Sequence, residues 1–310
     1  MWTTWLQRLG MTLVLGLLAA CGGGGDSRDP NVVEVAQRDA NFSILAEAVV
    51  AADLAGTLSG PGPYTVFAPT DAAFASLLTE LGVTKAQLLA DKALLRSVLQ
   101  YHVVGAKVAK AGVPLGKAIT PLDGGIFKVD AVSGNLVITD GRNRTAKITA
   151  TDVMATNGLV HAIDKVLLPA NKTVVETAQA LPDFSILVEA VVAADLTATL
   201  NGTGPFTVFA PTNAAFAKLL TELGLTKAQL LANKPLLTKV LTYHVVPGRV
   251  LKADVPVGMP ITTVQGETFT IDASLAITDR NGRKASITAT DVLARNGVIH
   301  AIDTVILPKL

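Results

Sequence analysis

The stretch Thr65-Val66-Phe67-Ala68-Pro69-Thr70-Asp71-Ala72-Ala73-Phe74 decides the fold, because the chain contains it twice. It returns as Thr207 to Phe216, with Asn213 where Asp71 stood. Working outward, Tyr101-His102-Val103-Val104 returns at the same offset as Tyr243-His244-Val245-Val246, and LLTELG, TKAQLLA and TATDV recur unchanged. A period of about 140 residues is far longer than the ~20–50 of solenoid units, so each copy is a whole domain with its own core.

TVFAPTDAAF runs on to YHVV, and each copy closes with NGLVHAID (Asn157 to Asp164) or NGVIHAID (Asn296 to Asp303). Three motifs in this order closely resemble the fasciclin domain family, and the resemblance covers nearly all of residues 31–309. It implies an α+β fold: two tandem fasciclin-like domains, each a set of helices packed against a β-wedge of several short strands. The units are 31–169 and 172–309, with Pro169-Ala170-Asn171-Lys172 at the junction.

Composition bounds the function classes. Half of the 310 residues are hydrophobic, 16% are charged and aromatics are few, so Leu, Val, Ile and Ala fill the cores. A formal net charge of +1 supplies no electrostatic footprint for nucleic acid. The single cysteine, Cys21, excludes an internal disulfide and any cysteine-built zinc site.

Residues 1–20 carry Arg8 and then an apolar run from Leu9 to Ala20, too short for a ~20-residue membrane span and suited to a signal peptide. Leu18-Ala19-Ala20-Cys21 resembles the lipobox of bacterial lipoproteins. This implies removal of 1–20, lipidation of Cys21, a Gly-rich tether over 21–30 and an envelope location, with Gly22 pointing to the outer membrane.

Inside each copy, Val32 to Ala36 reads as a short apolar turn. Phe42, Leu45, Ala46, Val49, Val50 and Leu54 follow at helical spacing, with Asn41 as the cap. Gly60-Pro61-Gly62-Pro63 breaks the chain before a strand at Tyr64 to Phe67, and Thr70 caps the next helix. The Asp71/Asn213 exchange argues against carboxylate chemistry there. Thr84 to Gln87 is a capping box, and Leu94, Leu95, Val98, Leu99 and His102 share one helical face. Short strands follow near Ile119, Ile126–Asp130, Leu136–Thr139 and Ala146–Ala150. A final hairpin joins Ile148–Met154 to Leu159–Leu168 through Asn157-Gly158. Copy two is three residues shorter between Ala273 and Leu275, a change that a strand connection tolerates.

The four histidines, His102/His244 and His161/His300, are the candidates for chemistry. No zinc-like spacing and no G-x-S-x-G elbow accompanies them, and nothing calls for a metal or cofactor. Recurring aspartates, Asp130/Asp272, Asp152/Asp291 and Asp164/Asp303, leave a carboxylate–His hydrolase as an alternative. Helix periodicity puts His102 on the core side. The family resemblance instead implicates the Tyr–His segment in adhesion, which places Tyr101, His102, Tyr243 and His244 at or under a binding surface. Arg142, Arg144 and Lys147, with Arg280, Arg283 and Lys284, read as solvated hairpin tips, with a weak polyanion contact as the alternative.

The resemblance thus implies a surface-anchored, non-enzymatic adhesion or matrix-interaction lipoprotein. Its partners are cell-surface or matrix protein or polysaccharide, and the membrane through its lipid. A carrier of a small apolar ligand is the alternative.

Overall fold

The computed structural model describes residues 29–309. The expected signal peptide, Cys21 and the tether as far as residue 28 lie outside the described residues. The first unit runs α1 (Val32–Arg38), α2 (Ser43–Ala51), α3 (Ala55–Leu58), β1 (Tyr64–Pro69), α4 (Asp71–Leu81), α5 (Lys85–Ala90) and α6 (Lys92–Tyr101). It continues through β2 (Val103–Val104), β3 (Ala118–Ile119), β4 (Phe127–Val132), β5 (Asn135–Thr139), β6 (Thr145–Ala155) and β7 (Gly158–Ile163). The second repeats it: α7 (Val174–Gln179), α8 (Ser185–Ala193), α9 (Thr197–Leu200), β8 (Phe206–Pro211), α10 (Asn213–Leu223), α11 (Lys227–Ala232), α12 (Lys234–Tyr243), β9 (Val245–Pro247), β10 (Pro260–Thr262), β11 (Thr268–Ile271), β12 (Ala276–Thr278), β13 (Lys284–Ala294) and β14 (Gly297–Ile302). Each unit is α+β with a seven-stranded sheet, ordered β2-β1-β7-β6-β5-β4-β3 and β9-β8-β14-β13-β12-β11-β10.

Strand β1 is the hinge of the architecture. It pairs in parallel with β7, register Phe67↔His161, although the hairpins around it are antiparallel. Both its faces are covered, which is why Val66-Phe67-Ala68-Pro69 is continuously apolar rather than alternating. Val66 and Ala68 pack under the helices with Leu45, Phe74 and Leu95, while Phe67 enters a second core with Tyr101, Phe127 and Ile138. Phe67 and Tyr101 each meet Phe127 edge-on, at ring distances of 5.1 and 5.8 Å.

Several local readings are corrected. Val32–Ala36 is not a turn but the start of α1, closed by a capping box between Asn31 and Glu34. Asn41 caps nothing; the amide of Ile44 in α2 is taken by Asp71 Oδ1 at 2.9 Å, and in copy two Asn213 Oδ1 takes Ile186 N at 3.0 Å. A carboxylate and a carboxamide both accept a hydrogen bond, so the exchange is neutral for this role. Val50 and Leu94, placed on apolar helix faces, are exposed, because the core covers only a narrower stripe of each helix. The last hairpin turns on Thr156-Asn157, with register Ala155↔Gly158, so Gly158 belongs to the strand. A Cβ there would lie 1.9 Å from the Tyr64 carbonyl oxygen of β1, so glycine permits the parallel strand to close in. Ala146–Ala150 and Ile148–Met154 are one strand, β6, broken by a bulge at which Asp152 has φ 59°.

The two units touch. The Asn143 carboxamide receives Leu293 N–H at 2.6 Å and donates to Leu293 C=O at 3.0 Å. Lys128 Nζ lies 2.8 Å from Asp291 Oδ2 and 3.0 Å from Asp130. Ile126 is buried with Leu251, Leu293 and Val298 of the other unit.

Candidate functional site

The Tyr–His motif sits where α6 ends. Leu95, Val98 and Leu99 anchor the helix in the core, and the same stripe carries His102 inward at 1% exposure, with Tyr101 at 0%. Val98 C=O can only accept, so His102 Nδ1 carries the proton and donates to it at 2.7 Å, leaving Nε2 to accept Leu167 N–H at 2.8 Å. His244 repeats the pattern, Nδ1 to Val240 C=O at 2.8 Å and Nε2 from Ile306 N–H at 3.2 Å. Burial pushes both imidazoles down to about 4, so they are neutral at physiological pH. Tyr101 donates its hydroxyl to Ile126 C=O and Tyr243 to Thr268 C=O, and burial raises both phenols, Tyr243 to about 12.

Tyr101, His102, Tyr243 and His244 therefore lie under the surface and not at it. Their polar atoms are consumed by backbone partners inside the domain, so they carry the frame and expose nothing to a ligand. The other histidine pair uses the opposite tautomer. His161 Nε2 donates to Val108 C=O at 2.8 Å and Nδ1 accepts Asp152 N–H at 3.1 Å; His300 does the same with Val250 at 2.9 Å and Asp291 at 3.3 Å. The Asp152 and Asp291 contacts are through backbone, while their carboxylates receive the Lys110 and Lys252 amides. No imidazole nitrogen is left facing a carboxylate. Among the described residues no group of three or more His, Cys, Asp or Glu gathers to hold a metal ion, and no helix is long and apolar enough to cross a membrane.

Sequence reasoning missed the second half of this frame. Asp140, 1% exposed, accepts Leu168 N–H at 3.0 Å through Oδ2 and the Arg142 and Arg144 amides through Oδ1. Burial raises its carboxyl, against the pull of those amides and of Arg144. Asp279 repeats it on Leu307, Asn281 and Arg283. The signal was present: Asp140-Gly-Arg-Asn-Arg144 and Asp279-Arg-Asn-Gly-Arg283 are turns that an Asp closes on its own backbone. The arginines of these tips are spoken for, Arg144 by Glu80 and Val166 C=O, and Arg283 by Glu222.

What the geometry defines is a pair of domains built on internally satisfied Tyr–His frames. The fasciclin domain model matches residues 40–169 and 182–308, and the chain belongs to the fasciclin-domain family as a tandem pair. It is 31% identical over 252 residues to transforming growth factor-beta-induced protein ig-h3 of Sus scrofa, covering 81% of this chain and 35% of that protein. It is 48% identical over 139 residues to protein sll1483 of Synechocystis sp. (strain ATCC 27184 / PCC 6803 / Kazusa), 44% of this chain and 74% of that one. Among solved structures it is similar to the FAS1 domain pair of the insect cell adhesion molecule fasciclin I, at 20% identity, covering 89% and 95% of the two chains, with a TM-score of 0.44. The chain thus spans about a third of the length of ig-h3.

Proposed function

We propose that this chain is a surface-anchored, non-enzymatic adhesion or matrix-interaction lipoprotein. It holds protein or polysaccharide partners through two linked domains, 31–169 and 172–309, with Cys21 as the lipid attachment and the outer membrane as its address. The observation that carries the reading is the histidine frame: in both domains the residues best suited to catalysis are buried, and His102, His161, His244 and His300 spend both ring nitrogens on backbone groups. Surface contact is the role left to such a scaffold within an adhesive family. Two linked weak sites gain avidity without stronger individual contacts.

The test is binding of the chain from residue 22 onward to whole cells and to glycan and matrix-protein arrays. Saturable retention supports the proposal; no retention on any surface sinks it. The anchor is tested separately, by intact-mass spectrometry of membrane-extracted protein: Met1 retained with Cys21 unmodified would end the lipoprotein reading.

The carrier alternative has one observation in its favour. In the second domain, α10, α11 and α12 enclose an apolar crevice of about 180 Å³ lined by Phe216, Leu219, Leu230, Leu237 and Leu307 among others. A dry cavity of comparable size, ~150 Å³, admits benzene. An absorbance spectrum and extract mass spectrum of protein from its native host decide whether anything is carried there.

A further inference from the structure

The contact between the two domains has a donor half and an acceptor half. The donor is the turn of the first domain, where Asn143 takes the left-handed conformation at φ 62°, flanked by Lys128 and Ile126. The acceptor is the free margin of β13, where β12 has already ended at its pairing with residues 284–286. There Leu293 turns its N–H and C=O away from β14, and Asn143 completes the missing rung while Asp291 takes Lys128.

The first domain owns the same acceptor, and no described residue covers it. Its bulge repeats to within a degree, φ 59° at Asp152 against 60° at Asp291, and Asp152 Oδ1 holds Lys110 N–H at 2.9 Å as Asp291 holds Lys252 N–H at 2.8 Å. Met154 faces Leu159 across the hairpin as Leu293 faces Val298, so its N–H and C=O also point outward, and no described residue takes them. Met154 is 62% exposed where Leu293 is 1% exposed. The chain enters both domains beside this margin, through Thr156 N–H to Pro30 C=O and Arg295 N–H to Lys172 C=O. In the second domain the preceding domain covers it.

We propose that the β6 margin from Asp152 to Met154 is a docking site for a fasciclin-type domain of another protein, one that presents an Asn on a left-handed turn beside a Lys. A second copy of this chain does not fit: its second domain has Gly282 and Thr270 where the donor needs Asn143 and Lys128, and its first-domain donor is engaged within its own chain. The Asp152 carboxylate oxygen Oδ2, to which no described residue donates, selects a cation, and the outward Met154 N–H and C=O suit a side-chain amide, which offers donor and acceptor in one planar group as Asn143 does on Leu293. The site stands apart from the adhesion reading and would hold for a chain of any function.

The missing donor can be built into this chain. Gly282 has φ 74° with open space around it, a place that Asn tolerates. The probe is the chain from residue 22 carrying Gly282→Asn, Thr270→Lys and Thr268→Ile, with Asp152→Lys to block its own acceptor. The receiver is the wild-type chain labelled on its methionine methyls, of which Met154 and Met259 are the two beyond residue 22. Titration should move the Met154 methyl saturably and leave Met259 still, and Asp152→Asn in the receiver should weaken the effect at least tenfold. A second probe, Asp291→Lys, repels Lys128 and frees the natural donor; labelled on its methionines, this variant should shift Met154 as its own concentration rises. If a folded probe of either kind leaves Met154 unmoved at ~1 mM, or if Asp152→Asn changes nothing, the docking site is refuted.

Discussion

His102 and Leu167 are 65 residues apart in sequence, and a 2.8 Å hydrogen bond joins them at the centre of the first domain. The next amide, Leu168, goes to Asp140 at 3.0 Å. The segment leaving β7 is therefore held on alternate sides by an imidazole from α6 and a carboxylate from the β5–β6 turn. The same two clamps hold Ile306 and Leu307. Repetition of both clamps in two copies makes them part of the fold's construction rather than of one domain's specialisation.

Removing the imidazole should therefore be a stability event. His102→Ala orphans the Leu167 amide and the Val98 carbonyl and is expected to cost about 2–4 kcal/mol, since each buried group left unpaired costs ~1–3. His244→Ala should cost a similar amount in its own domain. Denaturant titration of the full chain measures both; a loss below ~0.5 kcal/mol would show that these bonds hold nothing.

Acid should loosen the frame in a defined window. An unfolded histidine takes its proton near 6.5 and the folded ones only at about 4, so the unfolded state binds more protons between these values. Stability is full above pH 6.5 and is lost as pH falls toward 4, on the order of 3 kcal/mol for each of His102 and His244. His300, also lowered by burial, adds in the same sense. Asp140, raised by burial, keeps its proton in the fold at higher pH than when unfolded and offsets part of the loss at the acid end. Melting temperatures from pH 7.5 to 4 should fall steadily; a flat profile down to pH 4.5 would contradict the assignment.

Gly158→Ala is expected to cost about 3 kcal/mol or more, because the added methyl meets backbone of β1 and neither strand can yield without breaking the parallel pair. Gly297→Ala, where the Phe206 oxygen lies at 2.2 Å, should behave alike. Gly82→Ala, with a positive φ but open surroundings, tests backbone strain alone and should cost less, ~1 kcal/mol. Equal effects at all three positions would refute the close-approach argument.

Asp71→Asn should leave stability within ~0.5 kcal/mol, since copy two already uses Asn213 for the same amide, whereas Asp71→Ala should cost about 1 kcal/mol as a lost cap. A large loss on Asp71→Asn would restore a charge-dependent role.

These cases show what could be read from the letters. Motif order, the tandem copies, the α+β class and the inward face of α6 all follow from periodicity and repetition. The parallel β1–β7 pairing was hidden, because a doubly covered strand looks the same whichever way its neighbour runs. Proximity in sequence points to Asn41 as the cap of α2, while the acceptor for Ile44 N–H, Asp71, lies 27 residues on. Asp140 looks in sequence like any turn aspartate, and only three-dimensional closure shows that its carboxylate is buried. The contact between Lys128 and Asp291 could not be seen by comparing the copies, since the donor residues exist in one copy alone.

That contact couples the domains. Burial would draw the Lys128 ammonium down, but Asp291 and Asp130 together hold it above its ordinary value. Lys128→Met leaves the Asp291 carboxylate buried without its cation and is expected to cost about 3 kcal/mol. Scanning calorimetry should show a coupled transition in the wild type separating into two; an unchanged single transition would mean that the contact carries no coupling.

The central claim, that the Tyr–His motifs frame the domains while other surface does the binding, is tested most directly by adhesion per folded molecule. Wild type and the His102→Ala/His244→Ala double variant are compared on the same cell or glycan surface, with the folded fraction set by the melt of each. The account predicts a clearly lowered melting temperature and unchanged adhesion once corrected for folded protein. An intact melting curve with lost adhesion would contradict it.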